Sequence, residues 1–345
     1  MPESDRLAPG VAFRGAPDYR RPFDTEAAPV RRAQMAKLVA HLTPRDAWIA
    51  AMVHEHRVLT TAQITELGYN SVRTARRRLA ALTELRMVDR FRPLVALGAG
   101  TAPEHYVLGP AGAMWLAAAY EVSAKAFGYH RHRAHLIAAS HQLAHAVGCN
   151  QVFTDLAVAG RQEAGHGRLA AWWSERRCIR LFTDAGVRPD GYGHHTLAPH
   201  GQDPDSTANV RFFLEYDTGT EPIGKVAAKL AGYARLAAAS TPTPVLFHLP
   251  TASREARLHA ALADAAGVPV ATTTPEARLI AGTGPAGPVW LPVTAGRRRG
   301  PARLALVELD RLVPTPPRPR RAGASTVPSW WTEPPTPLPP TAWAS

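Results

Sequence analysis

Acidic and basic side chains able to do metal and phosphate chemistry gather between Val187 and Tyr233, in VRPDGY, RFFLEYDTGTEP and GKVAAKLAGY. RFFLEYD alternates as a strand does, because successive strand side chains point to opposite faces. Phe213, Glu215 and Asp217 therefore share one face, and Phe212, Leu214 and Tyr216 share the other. Carboxylates on an otherwise apolar face are costly unless a cation, a lysine or water meets them. TGTEP breaks the strand, and Thr218 or Thr220 can cap the helix that follows, with Glu221 near its positive end. On that helix Val226, Leu230, Tyr233 and Ala237 form the apolar stripe, with Lys229 at its edge and Lys225 further out. Upstream, Asp190 follows a short apolar run. Acids facing a border lysine are the parts of a metal and phosphate site. Asp190 and Glu215 would hold Mg²⁺, which activates a water against phosphate, with Asp217 or Lys229 assisting.

The elements that must position these residues fall in a definite order. An Ala- and His-rich helix from Arg131 to Val147, continuing or restarting to Ala159, precedes a strand in LAAWWSER. A short strand carries Val187 to Asp190, RFFLEYD is the third, the lysine helix follows, and PVLFHLP is a strand by its Pro punctuation. This α-β-β-β-α-β order, with Asp on the second strand and Glu on the third, resembles the core of PD-(D/E)XK nucleases. The position of the motif's lysine, two residues after Glu215, holds Asp217, and Lys229 could supply the charge from the helix. The alternative is a retained fold whose carboxylates pair with lysines. Asp155 stands where nucleases of this fold often place an acid on the first helix.

A chain of 345 residues predicts about two domains, and an apolar fraction of 46% supplies enough side chains for their cores. No run approaches the ~18–20 apolar residues of a membrane span, and no signal peptide opens the chain. A cytoplasmic protein without membrane contact is expected. Cys149 and Cys178 alone form neither a disulfide framework nor a zinc site. The formal charge of +12 points to a polyanionic partner, although Arg and Ala abound throughout, so clustering matters more than the total.

The clustering lies in the N-terminal third. Residues 1–42 read as a flexible basic arm with Arg20, Arg21, Arg31 and Arg32. TPRDAWIAAMVHEH opens a helix with a capping Thr and a Pro at the first position. Thr60 or Thr61 starts a second, short helix, and Asn70 or Ser71 starts a third, VRTARRRLAALTELRMV. At about 100° per residue its Val72, Ala75, Leu79 and Leu82 form one stripe. Arg73 and Arg77 project from the opposite side, and Arg76 and Arg78 flank the stripe. Residues 71–92 hold seven arginines, including Arg90 and Arg92, against two acids. Short helix, turn and basic helix make a helix-turn-helix, whose second helix enters the major groove. MVDRFRPL and EHYVLGP around the GAGTAP tip read as a two-stranded wing, closed by GPAGAMWLAAAY. A merely solvated arginine helix, or a winged helix used for protein contacts, are the alternatives.

Five histidines lie between Tyr129 and His145. His141 and His145, spaced i, i+4, could clip a metal, although Gln142 excludes an HExxH site and solvent-facing histidines are the commoner outcome. After the core come a helix in SREARLHAALADAAG, strands in VPVATTT and GPAGPVWLPV, and the GRRRG loop. The expected organisation is α/β (α+β): arm 1–42, winged helix 43–120, nuclease-like domain 129–295 of restriction-endonuclease type, and a Pro-rich disordered tail 313–345.

HEHRVLTTAQITEL, TARRRLAALTELRMVDRFRP, HYVLGPAGA, WWSERR, VRPDGY, FFLEYDTGTEP and KLAGY together resemble the replication-relaxation family of plasmid and mobile-element proteins, over roughly residues 43–293. The resemblance implies a role in plasmid replication and relaxation of plasmid DNA, and assigns no catalytic residue. The first reading is a protein that binds double-stranded DNA, as a homodimer or beside replication and plasmid-maintenance proteins. An Mg²⁺-dependent nicking nuclease is the second. A winged-helix transcriptional regulator with a non-catalytic second domain is the third.

Overall fold

A computed structural model describes residues 41–93, 101–162, 167–197, 209–240, 242–262, 267–293, 302–313 and 333–340. The arginines of the N-terminal arm, residues 98–100 of the wing tip, the GRRRG loop and most of the Pro-rich tail lie outside them. Within the tail, residues 333–340 are described, and Pro337 is buried. Helices and sheets mix in an α+β fold that divides into two compact units. The first takes residues up to Thr65 and Asn70–Leu143, and the second takes Glu66–Tyr69 and Ala144 onward. The long stretch of the second unit begins at Ala144.

The first unit is built on well-capped helices. Thr43 closes a capping box with Asp46 at the start of α1 (Pro44–His56). The pair Thr60 and Gln63 exchange backbone-to-side-chain bonds of 3.0 and 3.2 Å at the start of α2 (Thr61–Gly68). Ser71 caps α3 (Val72–Glu84). Ala75, Leu79 and Leu82 of α3 are fully buried, whereas Val72, expected on the same stripe, is 45% exposed at the first turn. Strands β1 (Leu59–Thr60), β2 (Val88–Phe91) and β3 (His105–Leu108) form an antiparallel sheet in the order β1-β3-β2. Gly109 then admits the chain into α4 (Pro110–Ala119), since a Cβ there would lie 2.3 Å from the Arg86 carbonyl oxygen.

The His-rich segment is not one helix. After α5 (Ala124–Phe127) and α6 (Arg131–His135), a 3-10 turn at Leu136–Ala139 stops it, and α7 (Leu143–Gln162) restarts. The reason is long-range. Arg131 donates to Asp89 of β2 at 2.7 and 3.2 Å, and His135 approaches the same carboxylate at 2.9 Å. Asp89 is buried, yet these donors hold its pKa below the usual carboxylate value against the upward push of burial. The part of the segment up to Leu143 therefore lies in the first unit, and α7 from Ala144 onward in the second.

In the second unit six strands run in the order β4-β5-β6-β7-β8-β9: β4 (Arg168–Ser174), β5 (Gly191–Thr196), β6 (Asn209–Tyr216), β7 (Val245–His248), β8 (Val270–Thr273) and β9 (Leu291–Pro292). The first three pair antiparallel, β6, β7 and β8 are parallel, and β9 returns antiparallel. The period-two pattern of β6 holds. Phe212 stacks with Phe153 of α7 at 5.9 Å on one face, and Phe213 meets Tyr233 at 5.2 Å on the other. The second face carries a core of Phe213, Val226, Leu230, Tyr233, Val245, Phe247 and Leu258. LAAWWSER splits at Ser174, which caps α8 (Glu175–Phe182). The lysine helix is also two pieces, α9 (Ile223–Ala228) and α10 (Leu230–Ala239), joined at Lys229. Neither Thr218 nor Thr220 caps it; Pro222 stands at the N-cap without a side-chain bond. Beyond β7 come α11 (Ala252–Ala261) and α12 (Pro275–Ala281), each capped by a Thr.

Asp46 both caps α1 and receives the Arg78 guanidinium from α3 while being almost fully buried. Asp46→Ala removes both the carboxylate half of the capping box and the carboxylate partner of Arg78. We expect Asp46→Ala to lower unfolding stability by about 2–4 kcal/mol, measured by urea denaturation. A loss below about 0.5 kcal/mol would contradict this account.

Candidate functional site

The acid pair is positioned by sheet register. Gly191 of β5 pairs with Leu214 of β6, and the Asp190 amide donates to the Leu214 carbonyl at 3.1 Å, so Asp190 stands opposite Glu215. The strand expected at Val187–Asp190 instead begins at Gly191, four residues after the expected start and just past the expected end, which leaves Asp190 at the mouth of the ladder. There its Oδ2 accepts from the Tyr216 backbone amide at 2.7 Å and lies 3.1 Å from His145 Nε2. Its Oδ1 accepts from nothing among the described residues.

Glu215 is enclosed. Its side chain is 3% exposed, with Oε2 receiving Lys229 Nζ at 2.6 Å and Oε1 receiving the Tyr233 hydroxyl at 2.5 Å. Burial, and next the charge of Asp190, push its pKa up to about 7 against the pull of Lys229 and Tyr233. Burial works against the Lys229 ammonium, but the charge and hydrogen bond of Glu215 outweigh it and raise that pKa. His145 behaves alike: burial lowers its pKa, and the Asp190 bond, Asp190 charge and Glu175 charge raise it further than burial lowers it. Burial, then Glu215, lift Tyr233 far above its ordinary value.

Lys229 reaches Glu215 because it sits at the α9–α10 junction. Bonds of i→i+3 type on either side, Lys229 N to Val226 O and Gly232 N to Lys229 O, tighten the helix there. Lys229 is 39% exposed and also lies 3.9 Å from Glu221.

Three sequence expectations change here. Asp217 does not join the acids: Arg254 takes its carboxylate through Nε and Nη2, and Gly219 N binds it at 2.7 Å. The strand ends at Tyr216, so the alternation that placed Asp217 beside Glu215 has already stopped. Asp155 is bonded to Gln151 and Arg278, apart from the acid pair. Of the two histidines whose spacing could clip a metal, with solvent exposure the commoner expectation, His141 is exposed and precedes the first turn of α7, and His145 alone reaches Asp190. Reading the sequence missed that His145–Asp190 contact; the one signal was its i, i+4 spacing from Cys149, whose Sγ approaches the Asp190 carbonyl at 3.5 Å.

Among the described residues no three or more His, Cys, Asp or Glu are grouped to hold a metal ion. A water-rich Mg²⁺ needs only one or two carboxylates. The open Oδ1 of Asp190 and the second lone pairs of Glu215 fit that lighter demand.

In the first unit the six expected DNA-binding arginines divide. Arg73, Arg76 and Arg77 are exposed on α3 and have no partner among the described residues. Arg78 is committed to Asp46 and to the His41 carbonyl. Arg90 and Arg92 both lie against Glu104, at 2.9 and 3.2 Å. Arg78 braces its own unit, whereas Arg90 and Arg92, each about half exposed, share Glu104 at the surface.

A family model described as replication-relaxation matches residues 51–246. No curated protein and no solved structure matches the chain. Among the described residues no helix is long and apolar enough to cross a membrane.

Glu215 gives the site a testable pH signature. Its folded pKa of about 7 exceeds the ordinary 4.5, so between these values the native state binds more protons than the unfolded state. Its contribution to stability is therefore full below pH 4.5 and is lost as pH rises through 7. The stability of wild type relative to Glu215→Gln should fall over that window, by on the order of 3 kcal/mol at most. Parallel urea midpoints at pH 4.5, 6 and 7.5 would show the group to be unperturbed.

Proposed function

The chain belongs to the replication-relaxation family, and from that premise we propose that it is a DNA-binding protein acting in plasmid replication and relaxation of plasmid DNA. The observation that carries the DNA-binding reading is the trio Arg73, Arg76 and Arg77, exposed on one capped helix and unpaired among the described residues. A guanidinium left without a protein partner keeps its full capacity for a phosphate or a guanine edge. Helices α1 to α3, with β1 between the first two and the β2–β3 pair after the third, support a winged helix in which α3 enters the major groove. The buried stripe of Ala75, Leu79 and Leu82 anchors α3 from behind, so its arginines can be changed without touching the core.

A second reading is favoured by one observation, the in-register placement of Asp190 against Glu215 with Lys229 on the latter. It is a nuclease-like unit that nicks plasmid DNA. Mg²⁺, when bound, supplies Lewis acidity toward a phosphate and a more acidic water. Asp190 would offer Oδ1 to it, Glu215 would share the load, and Lys229 would face the scissile phosphate. Asp217 has no part in this, because Arg254 holds it. The unit as a regulator's non-catalytic partner is the outcome if no cleavage occurs.

Replacing Arg73 and Arg77 together with Ala should weaken duplex binding and leave the melting curve unchanged. Lost phosphate contacts release fewer counterions, so the slope of log affinity against log salt should shrink by about two. Unchanged affinity and slope would take α3 out of the interface. For the second reading, supercoiled plasmid is incubated with Mg²⁺ or Mn²⁺. Nicking by wild type and its loss in Glu215→Ala support a nuclease, and equal background in both rejects it.

A further inference from the structure

Asp190 is held by α7 as well as by the sheet. His145, Cys149 and Phe153 follow at four-residue spacing and so share one face of that helix. His145 Nε2 lies 3.1 Å from Asp190 Oδ2, Cys149 Sγ lies 3.5 Å from the Asp190 carbonyl oxygen, and Phe153 covers Gly191, where a Cβ would come within 2.6 Å of the ring. Gly148 allows this close approach, since a Cβ there would lie 2.3 Å from the Tyr216 ring. That ring in turn meets His145 edge-on, with centroids 5.8 Å apart. A carboxylate has no proton to give, so the Nε2 of His145 carries the hydrogen and donates it.

The consequence is directional. The Tyr216 amide and His145 both take Oδ2, one from the sheet and one from the helix. Two donors on Oδ2 hold the carboxylate in one orientation and leave Oδ1 without a donor among the described residues. His145 is 24% exposed against 11% for Asp190, so the imidazole stands at the rim and the acid behind it.

We propose that His145 is a positioning residue for Asp190, fixing the carboxylate so that Oδ1 presents to a hydrated divalent cation. This rests on the metal-holding reading of the acid pair. Outer partners of ligating carboxylates alter metal affinity by about 10- to 100-fold when removed. The side chain acts through its donor at the Nε2 position, and a glutamine places an amide nitrogen at similar reach, whereas an asparagine is one methylene short.

The test uses the full chain and Mn²⁺ as probe, with free Mn²⁺ followed by electron paramagnetic resonance at fixed pH, and far-ultraviolet dichroism as the fold control. Wild type should bind Mn²⁺, Asp190→Asn should abolish binding, and His145→Asn and His145→Leu should each weaken it about tenfold or more. His145→Gln should recover most of the affinity, which a space-filling role would not produce. Equal affinity in wild type, His145→Asn and His145→Leu overturns the assignment of His145 alone. So does a loss in His145→Gln as large as in His145→Leu. Absence of Mn²⁺ binding in wild type, or binding indifferent to Asp190→Asn, overturns the metal-holding reading and this inference with it.

Discussion

A carboxylate buried in a sheet cannot be left bare, and the second unit is organised around meeting that demand at Glu215. Taking an isolated carboxylate out of water costs far more than a domain's whole net stability, so partners must arrive or the group must stay protonated. Both responses are present. Lys229 and Tyr233 each take one oxygen, and a pKa of about 7 leaves the proton close to balance at neutrality. Neither partner is local in sequence: both come from the far side of a turn and a broken helix. The geometry of that turn therefore decides whether the strand can exist as it does.

Asp217 is what shapes the turn. Its carboxylate binds the Gly219 amide, while Arg254, arriving from α11, grips Asp217 and the Glu221 carbonyl together. The backbone is thereby bent so that α9 runs back over the strand's end and delivers Lys229 to Glu215. In the nuclease pattern a lysine two residues along the strand would bring the positive charge directly. Here an acid at that position organises a loop, and the charge returns from the helix. The two arrangements give the acid a cation by different routes, which is why residue type at position 217 alone decides nothing about the chemistry.

Much of this was legible where the signal is short-range. Caps at Thr43 and Ser71 and the alternation of RFFLEYD rest on spacing and local hydrogen bonding and lie where spacing puts them, whereas α8 and the 3-10 turn after it interrupt the expected run of three strands between β4 and β5. What spacing could not show depends on partners distant in the chain. Arg78 looked like its neighbours on α3 until Asp46, thirty-two residues earlier, claimed it. His135, at the end of α6, is held by Asp89, forty-six residues earlier. The contact of His145 with Asp190 depends equally on tertiary packing, since Gly148 counts only once the Tyr216 ring lies against it. Val72 shows the opposite error. It has the right periodicity for the stripe, but a residue in the first turn has nothing before it to pack beneath, and it stays in solvent.

The same distinction governs how the charge of the first unit should be weighed. A formal excess of +12 says little about grip, because a cation already paired with a protein acid releases few counterions when a phosphate comes near. Arg78 fixes α3 to the start of α1, and Arg90 and Arg92 share Glu104 beside the hairpin. These pairs stiffen the platform from which α3 projects. Arg73, Arg76 and Arg77 remain to act outward, on a helix whose far end carries the exposed Glu84. Were α3 to meet a duplex, as proposed, that acid would repel phosphates at its C-terminal end and leave the N-terminal turns better suited to contact. There the unpaired N–H groups of the helix start add to the arginines' attraction for phosphate. In the proposed DNA-binding reading, the polarity of α3 would matter as much as its count of arginines in deciding which part of it faces a duplex.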